Sequence, residues 1–182
     1  DYPLALDELF AIAMEALAIA PEKQPELKCA LQDFFGLRIR NLLAENGTRH
    51  DLLEAVLASP ATLIADMLKR AAALNAFSDL PEWPVIVQTF TRVANLVKDS
   101  AAAPVRTALF AHPSEAALYE AVQQQREKAA ALLADCDYQG LLVLTEALAN
   151  PVNALFDNVM VMAPEADIKA NRLALLAAVR DF

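Results

Sequence analysis

The chain has 182 residues, 57% of them apolar, with 3 glycines, 10 prolines and a formal net charge of −9. A chain of that length makes one large domain or two small ones and buries roughly 70% of its unfolded surface, so it needs no disulfide or metal staple. Three glycines (36, 47 and 140) cannot build a phosphate-cradling loop. The abundance of leucine and alanine favours packed helices over strands, and the expected fold class is all-α.

Taken in chain order, "LALDELFAIAMEALAIA" (4–20) repeats Leu6, Leu9, Phe10, Ala13 and Leu17 at helical spacing and stops at Pro21. Pro25 opens a long second helix whose stripe, Leu27, Leu31, Phe34 or Phe35, Ile39, Leu42 and Leu43, runs to the cap pair Asn46-Gly47. Thr48 is placed to cap a third helix, "HDLLEAVLA", with Asp51 at the acidic position of a capping box. Ser59-Pro60 reads as an N-cap and first-turn proline for the amphipathic stretch "ATLIADMLKRAAALNAF". "SDLPEWP" is a junction, and "VIVQTFTRVANLVKDS" is a helix despite its β-branched start. Pro104 and Pro113 make "AAAPVRTALFAHPSE" a connection that packs through its apolar residues. Ser114 is the expected cap of a long helix to about Cys136. "DYQGLLVLTEALA" and "NPVNALFDNVMVMA" follow as two helices, the second capped by Asn150 with Pro151 in its first turn. A last helix starts at Pro164, so that Phe156, Val159, Met160 and Met162 and then Leu173, Leu175 and Leu176 would form a buried hairpin. The sum is a bundle of about nine helices. It is expected to be a single domain over residues 1–182, a piece of a longer chain, in which 1–58 forms an N-terminal subpart.

Cys29 and Cys136 have neither metal-ligand nor CxxC spacing and read as reduced core thiols of a cytoplasmic protein. Every apolar run is broken by a charge or proline before the ~18 residues of a membrane span, so no membrane partner is expected. "DYPLALDELF" has neither an initiator Met nor the basic and apolar regions of a signal peptide, in keeping with an excised fragment.

No catalytic or metal-binding pattern emerges. His50 and His112 stand apart from any cysteine, serine or carboxylate arrangement that would make a nucleophile or a metal site. Asp135 and Asp137, at a helix end, read as solvated carboxylates. Charge is unevenly spread: residues 38–106 carry eight basic and seven acidic groups, whereas the segments on either side are each −5. An anion-facing surface therefore belongs in the middle of the chain, although the overall charge argues against diffuse phosphate binding. Two constellations stand there. Arg38 and Arg40 precede Arg49 and His50; in "TRVANLVKD", Arg92, Asn95 and Lys98 recur at intervals of three on one helix face. Such a set suits phosphate and base-edge contacts, although on composition alone a solvated amphipathic surface is the more ordinary reading.

"RIRNLLAENGTRHDLLEAVLAS", "FTRVANLVKDS", "LYEAV" and above all "NPVNALFDNVMVMAPEADIKANRLALL" resemble, in order and spacing, the C-terminal region of bacterial glycyl-tRNA synthetase β subunits. The resemblance covers nearly the whole chain. It implies a helical anticodon-binding domain like that of the class I arginyl-tRNA synthetases. It implies in turn a cytoplasmic α2β2 ligase that joins glycine to its tRNA, with ATP and Mg at the α-subunit site and no cofactor in this part. The implied partners are a glycine tRNA, through its anticodon loop, the α subunit and the rest of the β subunit. Because glycine codons fix the second and third anticodon letters as cytosines, two splayed pyrimidines would be read on their edges and faces. The residues expected to meet tRNA are Arg38, Arg40, Arg92, Asn95 and Lys98, followed by Lys169, Asn171 and Arg172 in the terminal helix. In that last block Arg172 has the alternative of bridging helices through a carboxylate such as Asp157, and Asn171 of bonding a neighbouring backbone. The competing function is a helical domain that braces the subunit without touching tRNA.

Overall fold

The computed structural model describes residues 5–59, 63–100 and 103–182, all in helices, turns and extended connections. Eight α-helices run in the order α1 (Leu6–Ala16), α2 (Gln24–Glu45), α3 (His50–Ala58), α4 (Ile64–Ser78), α5 (Trp83–Val97), α6 (Pro113–Ala134), α7 (Tyr138–Asn158) and α8 (Ala166–Arg180). Among the described residues there is no strand, and no helix is long and apolar enough to cross a membrane.

The chain divides into two compact units, Asp1–Ser78 and Asp79–Phe182. Helix α4 groups with the three before it. In the first unit Ile39 and Leu43 of α2 meet Leu53 and Val56 of α3 and Met67 and Ala71 of α4. Only part of each expected stripe is used. Phe10 and Met14 are the buried residues of α1, whereas Leu9 on α1, Leu17 at its C-cap, and Phe34 and Leu42 on α2 remain exposed. In the second unit α6 pairs with α7 and α5 with α8. Val93 and Val97, Leu118 and Val122, Leu148, Val152 and Leu155, and Leu175 and Leu176 make one continuous core.

Several local expectations are corrected. Thr48 does not cap α3: it is buried and accepts a 3.5 Å hydrogen bond from Asn75, and the cap position is Arg49. Ser59 turns back to donate to the carbonyl of Val56 at the end of α3; Pro60 lies outside the described residues. His112, not Ser114, caps α6, its Nδ1 accepting from the Ser114 amide at 3.2 Å. Neither cysteine is a core residue, Cys29 being exposed and Cys136 half-buried.

The largest correction concerns Pro151. Instead of opening a helix it sits inside α7, which is continuous from Tyr138 to Asn158 and reduces the count to eight. An interior proline costs about 3 kcal/mol. Leu148, Val152 and Leu155, all fully buried on one face of the same helix, each return roughly 1.5–3 kcal/mol. Packing therefore carries the helix through the proline.

Cys136 has φ 54°, the left-handed position after α6, where its amide bonds Leu133 O and the next amide bonds Leu132 O. This double bond pattern usually employs glycine, as Gly47 does after α2 with φ 79°. A non-glycine residue in that region costs about 1–2 kcal/mol. Cys136→Gly is accordingly expected to stabilise the fold by roughly 0.5–1 kcal/mol after the loss of chain stiffness in the unfolded state, read as a higher midpoint in urea unfolding with an unchanged slope.

Candidate nucleic-acid interface

In the second unit a groove of about 940 Å³ runs between α5 and the segment that follows α7. Its α5 wall is Gln88, Thr91, Arg92 and Asn95, whose spacing of three, four and seven places them on one helix face. Asp157, Asn158, Met160 and Met162 form the facing wall, with Phe156, Val159 and Val161 beneath. The Arg92 guanidinium lies over the Phe156 ring, 3.8 Å from its centroid. Arg92 and Asp157 are the two formal charges among the lining residues, so the groove is close to neutral. Amides, a stacked guanidinium and an apolar floor suit the face and edge of a base better than a phosphate.

The facing wall is not the helix expected for "NVMVMA". Helix α7 ends at Asn158, and Val159 adopts extended backbone with φ −133° and ψ 126°. From there Val159, Val161 and Ala163 are buried, while Met160 and Met162 are 71% and 51% exposed. This alternation is the period of an extended strand. Pro164 disfavours helical backbone at Ala163, and α8 resumes only at Ala166. The segment is an extended strap whose valines face the core and whose methionines face the groove.

A buried ion pair holds the strap. Glu115, in the first turn of α6, is fully buried, and Arg172 of α8 is 8% exposed. Arg172 Nε donates to Glu115 Oε1 at 2.8 Å and Nη1 donates to the Met160 carbonyl at 2.9 Å. The other oxygen of Glu115 accepts from the amides of Ala111 and His112 at 2.7 and 2.8 Å. Burial pushes the Glu115 carboxyl up, but the bonds from Arg172 and the two amides outweigh it and hold the group below its ordinary value. Beside Arg172, Asn171 accepts from the Arg106 amide at 2.7 Å and donates to its carbonyl at 3.0 Å, fastening the connection before α6 to α8.

The residues singled out from the sequence therefore go to different places. Arg92 and Asn95 line the groove. Lys98 is exposed one turn further on, at the C-cap of α5, and outside the lining. Lys169 is half-buried near the start of α8. Asn171 and Arg172 are buried with their polar groups bonded inside the unit, Arg172 to Glu115 instead of Asp157. Arg38 and Arg40 belong to the first unit. Arg38 lies 4.3 Å from the centroid of exposed Phe34. Arg40 makes a two-bond pair with Glu54, one bond being 3.2 Å, and Arg49 pairs with Asp51 at 2.7 Å. Such surface pairs contribute at most about 1 kcal/mol, so an incoming phosphate can displace them. Of the other polar residues in the lining, Asp157 and Asn158 stand out in the sequence as polar groups in an apolar helix, whereas Gln88 and Thr91 were not singled out. The polar spacing of 88, 91, 92 and 95 and the alternation Val-Met-Val-Met carried their signal.

Residues 86–182, from α5 to the end of the chain, match the family model of the DALR anticodon binding domain. The chain belongs to that family. The matched span contains both walls of the groove and the Glu115–Arg172 pair. Over a longer stretch the chain is similar to proteins named glycine-tRNA ligase beta subunit. It is 40% identical to that of Desulforudis audaxviator over 86% of this chain and 23% of that protein. With those of Geobacter metallireducens and Syntrophus aciditrophicus the identities are 35% and 32%, each over 98% of this chain and 26% of the relative. The chain thus spans about a quarter of the length of the curated relatives it matches.

Removing one member of a buried pair leaves the other charge uncompensated, at about 3–5 kcal/mol. Arg172→Met is expected to lose that much in denaturant unfolding. Since the folded-state pKa of Glu115 is depressed, its contribution is complete above the unfolded value of about 4.3 and is lost as pH falls through the folded value. Stability measured from pH 7 downward should therefore fall less steeply on the acid side in Glu115→Gln than in the parent.

Proposed function

We propose that this chain is the anticodon-recognising domain of a glycine-tRNA ligase β subunit. In this reading it supports ATP-dependent glycylation carried out with an α subunit that supplies the ATP and Mg site. The observation that carries the reading is the groove: the stacked Arg92–Phe156 pair faces the strap inside the part of the chain that matches an anticodon-binding family. A splayed cytosine presents an amine donor and two acceptors. Asp157 accepts from the amine, Asn95 or Gln88 donates to the acceptors, and the outer face of the Arg92 guanidinium stacks on the ring. Because the groove is nearly neutral, phosphate contacts in this unit fall to exposed Lys98 outside its lining; in the first unit, taken by itself, Arg38 and Arg40 are the candidate phosphate contacts. A cytoplasmic location follows from the same reading.

In the assembled ligase, Arg92→Ala is expected to raise the KM for glycine tRNA by about tenfold, as the loss of a stacking partner worth roughly 1–3 kcal/mol predicts. It should also narrow the preference for a cytosine at the second anticodon position, with glycyl-adenylate formation unchanged. Lys98→Ala should instead weaken binding alike for matched and altered anticodons and reduce the salt slope by about one. Unaltered tRNA affinity in Arg92→Ala would overturn the proposal and favour a bracing domain without tRNA contact.

A further inference from the structure

We propose that Arg172, which is buried and reaches no groove surface, is the positioning residue of the groove through its bond to the Met160 carbonyl. This inference rests on the tRNA-binding reading above and adds how the reading surface is kept in shape. Among the described residues, the strap Val159–Ala163 has one side-chain tether to its main chain, the 2.9 Å bond from Arg172 Nη1. The Val159 amide makes the last bond of the α7 ladder, to Leu155 O at 2.9 Å, and α8 begins only at Ala166, so Met160 to Ala163 lie outside both helices. If the strap turned about its own axis, the buried valines and exposed methionines would exchange faces, because successive side chains alternate.

The guanidinium is suited to this task because Nε and Nη1 leave one rigid plane in different directions. Nε is anchored to Glu115, and Glu115 is itself fixed by the Ala111 and His112 amides at the start of α6. The direction of Nη1 is thereby set by two helices and not by the strap it holds. Its acceptor belongs to Met160, whose side chain points into the groove opposite Gln88 and Arg92. A lysine at 172 keeps the charge pair with Glu115, but its single nitrogen cannot hold both partners at fixed angles.

The test uses Arg172→Lys in the assembled ligase, with Arg92→Ala beside it, and 13C-methyl methionine spectra of the 182-residue chain. The four methionines supply an internal control, since Met160 and Met162 are on the strap and Met14 and Met67 are buried in the first unit. In Arg172→Lys the Met160 and Met162 signals should shift or broaden while those of Met14 and Met67 stay. The KM for tRNA should rise about tenfold, with kcat at saturating tRNA and glycyl-adenylate formation within twofold of the parent. A tRNA KM within twofold of the parent in a folded Arg172→Lys protein overturns the positioning role. So does a raised KM with unmoved strap methionines, which would mean that the side chain meets RNA itself. If Arg92→Ala raises KM and Arg172→Lys does not, the positioning inference fails and the anticodon reading stands; if Arg92→Ala has no effect, the anticodon reading fails. Should Arg172→Lys not fold, Glu115→Gln with Arg172→Met removes both buried charges together with the tether and is read by the same criteria.

Discussion

The Glu115 carboxylate has no exposed surface, and burying an isolated ion costs several kcal/mol. Here that cost is offset by the Arg172 guanidinium and by two main-chain amides at the start of α6. A well-packed apolar pair of similar volume would hold the core about as well. What the ion pair provides is direction. It fixes three segments at once: the turn at 111–112, helix α8, and the strap that follows α7. Asn171, its neighbour on α8, secures the connection before α6 in the same manner, by pairing with both polar groups of the Arg106 peptide.

The groove depends on this arrangement. Its α5 wall is rigid because Val93 and Val97 are fully buried on the other side of the same helix. The opposite wall begins on the last residues of α7, and its strap part, beyond Val159, is held by a carbonyl bond below and by two buried valines. Between them, the Phe156 ring lies under the Arg92 guanidinium. On the proposed reading this pair is a stacking surface for a base, and the amides and Asp157 along the rim are the donors and acceptors that read its edge. A chain of net charge −9 gains little from a general positive field. On the proposed reading, then, selection rests on short-range complementarity in the groove, and a few exposed lysines and arginines set the salt dependence.

The sequence was most legible where one local rule dominated. Helix α5 was found in spite of its β-branched start because its flanks and the leucine and alanine that follow agreed on a helix, and Asn46-Gly47 marked the end of α2. It was least legible where packing overrode a local preference. Pro151 signals a helix start, yet three buried side chains carry α7 past it. Cys136 ends α6 in a conformation usually given to glycine, and His112 displaced the more conventional Ser114 as a cap. In "VMVM" the competing periods could have been distinguished, since strict alternation argues for extended backbone. The hydropathy of the surrounding helices concealed it.

By itself the sequence determined the all-helical class, most helix boundaries, and the Arg92 and Asn95 face, because these follow from composition and from spacing along a single helix. It also placed Arg172 beside a possible carboxylate partner, but named Asp157. Only the tertiary structure decided that the partner is Glu115, 57 residues distant, that Met160 and Met162 face outward from an extended strap, and that Arg92 lies on Phe156. Each of these depends on which segments meet across the second unit. Local spacing fixes the face on which a side chain stands, and only long-range packing fixes what that face meets.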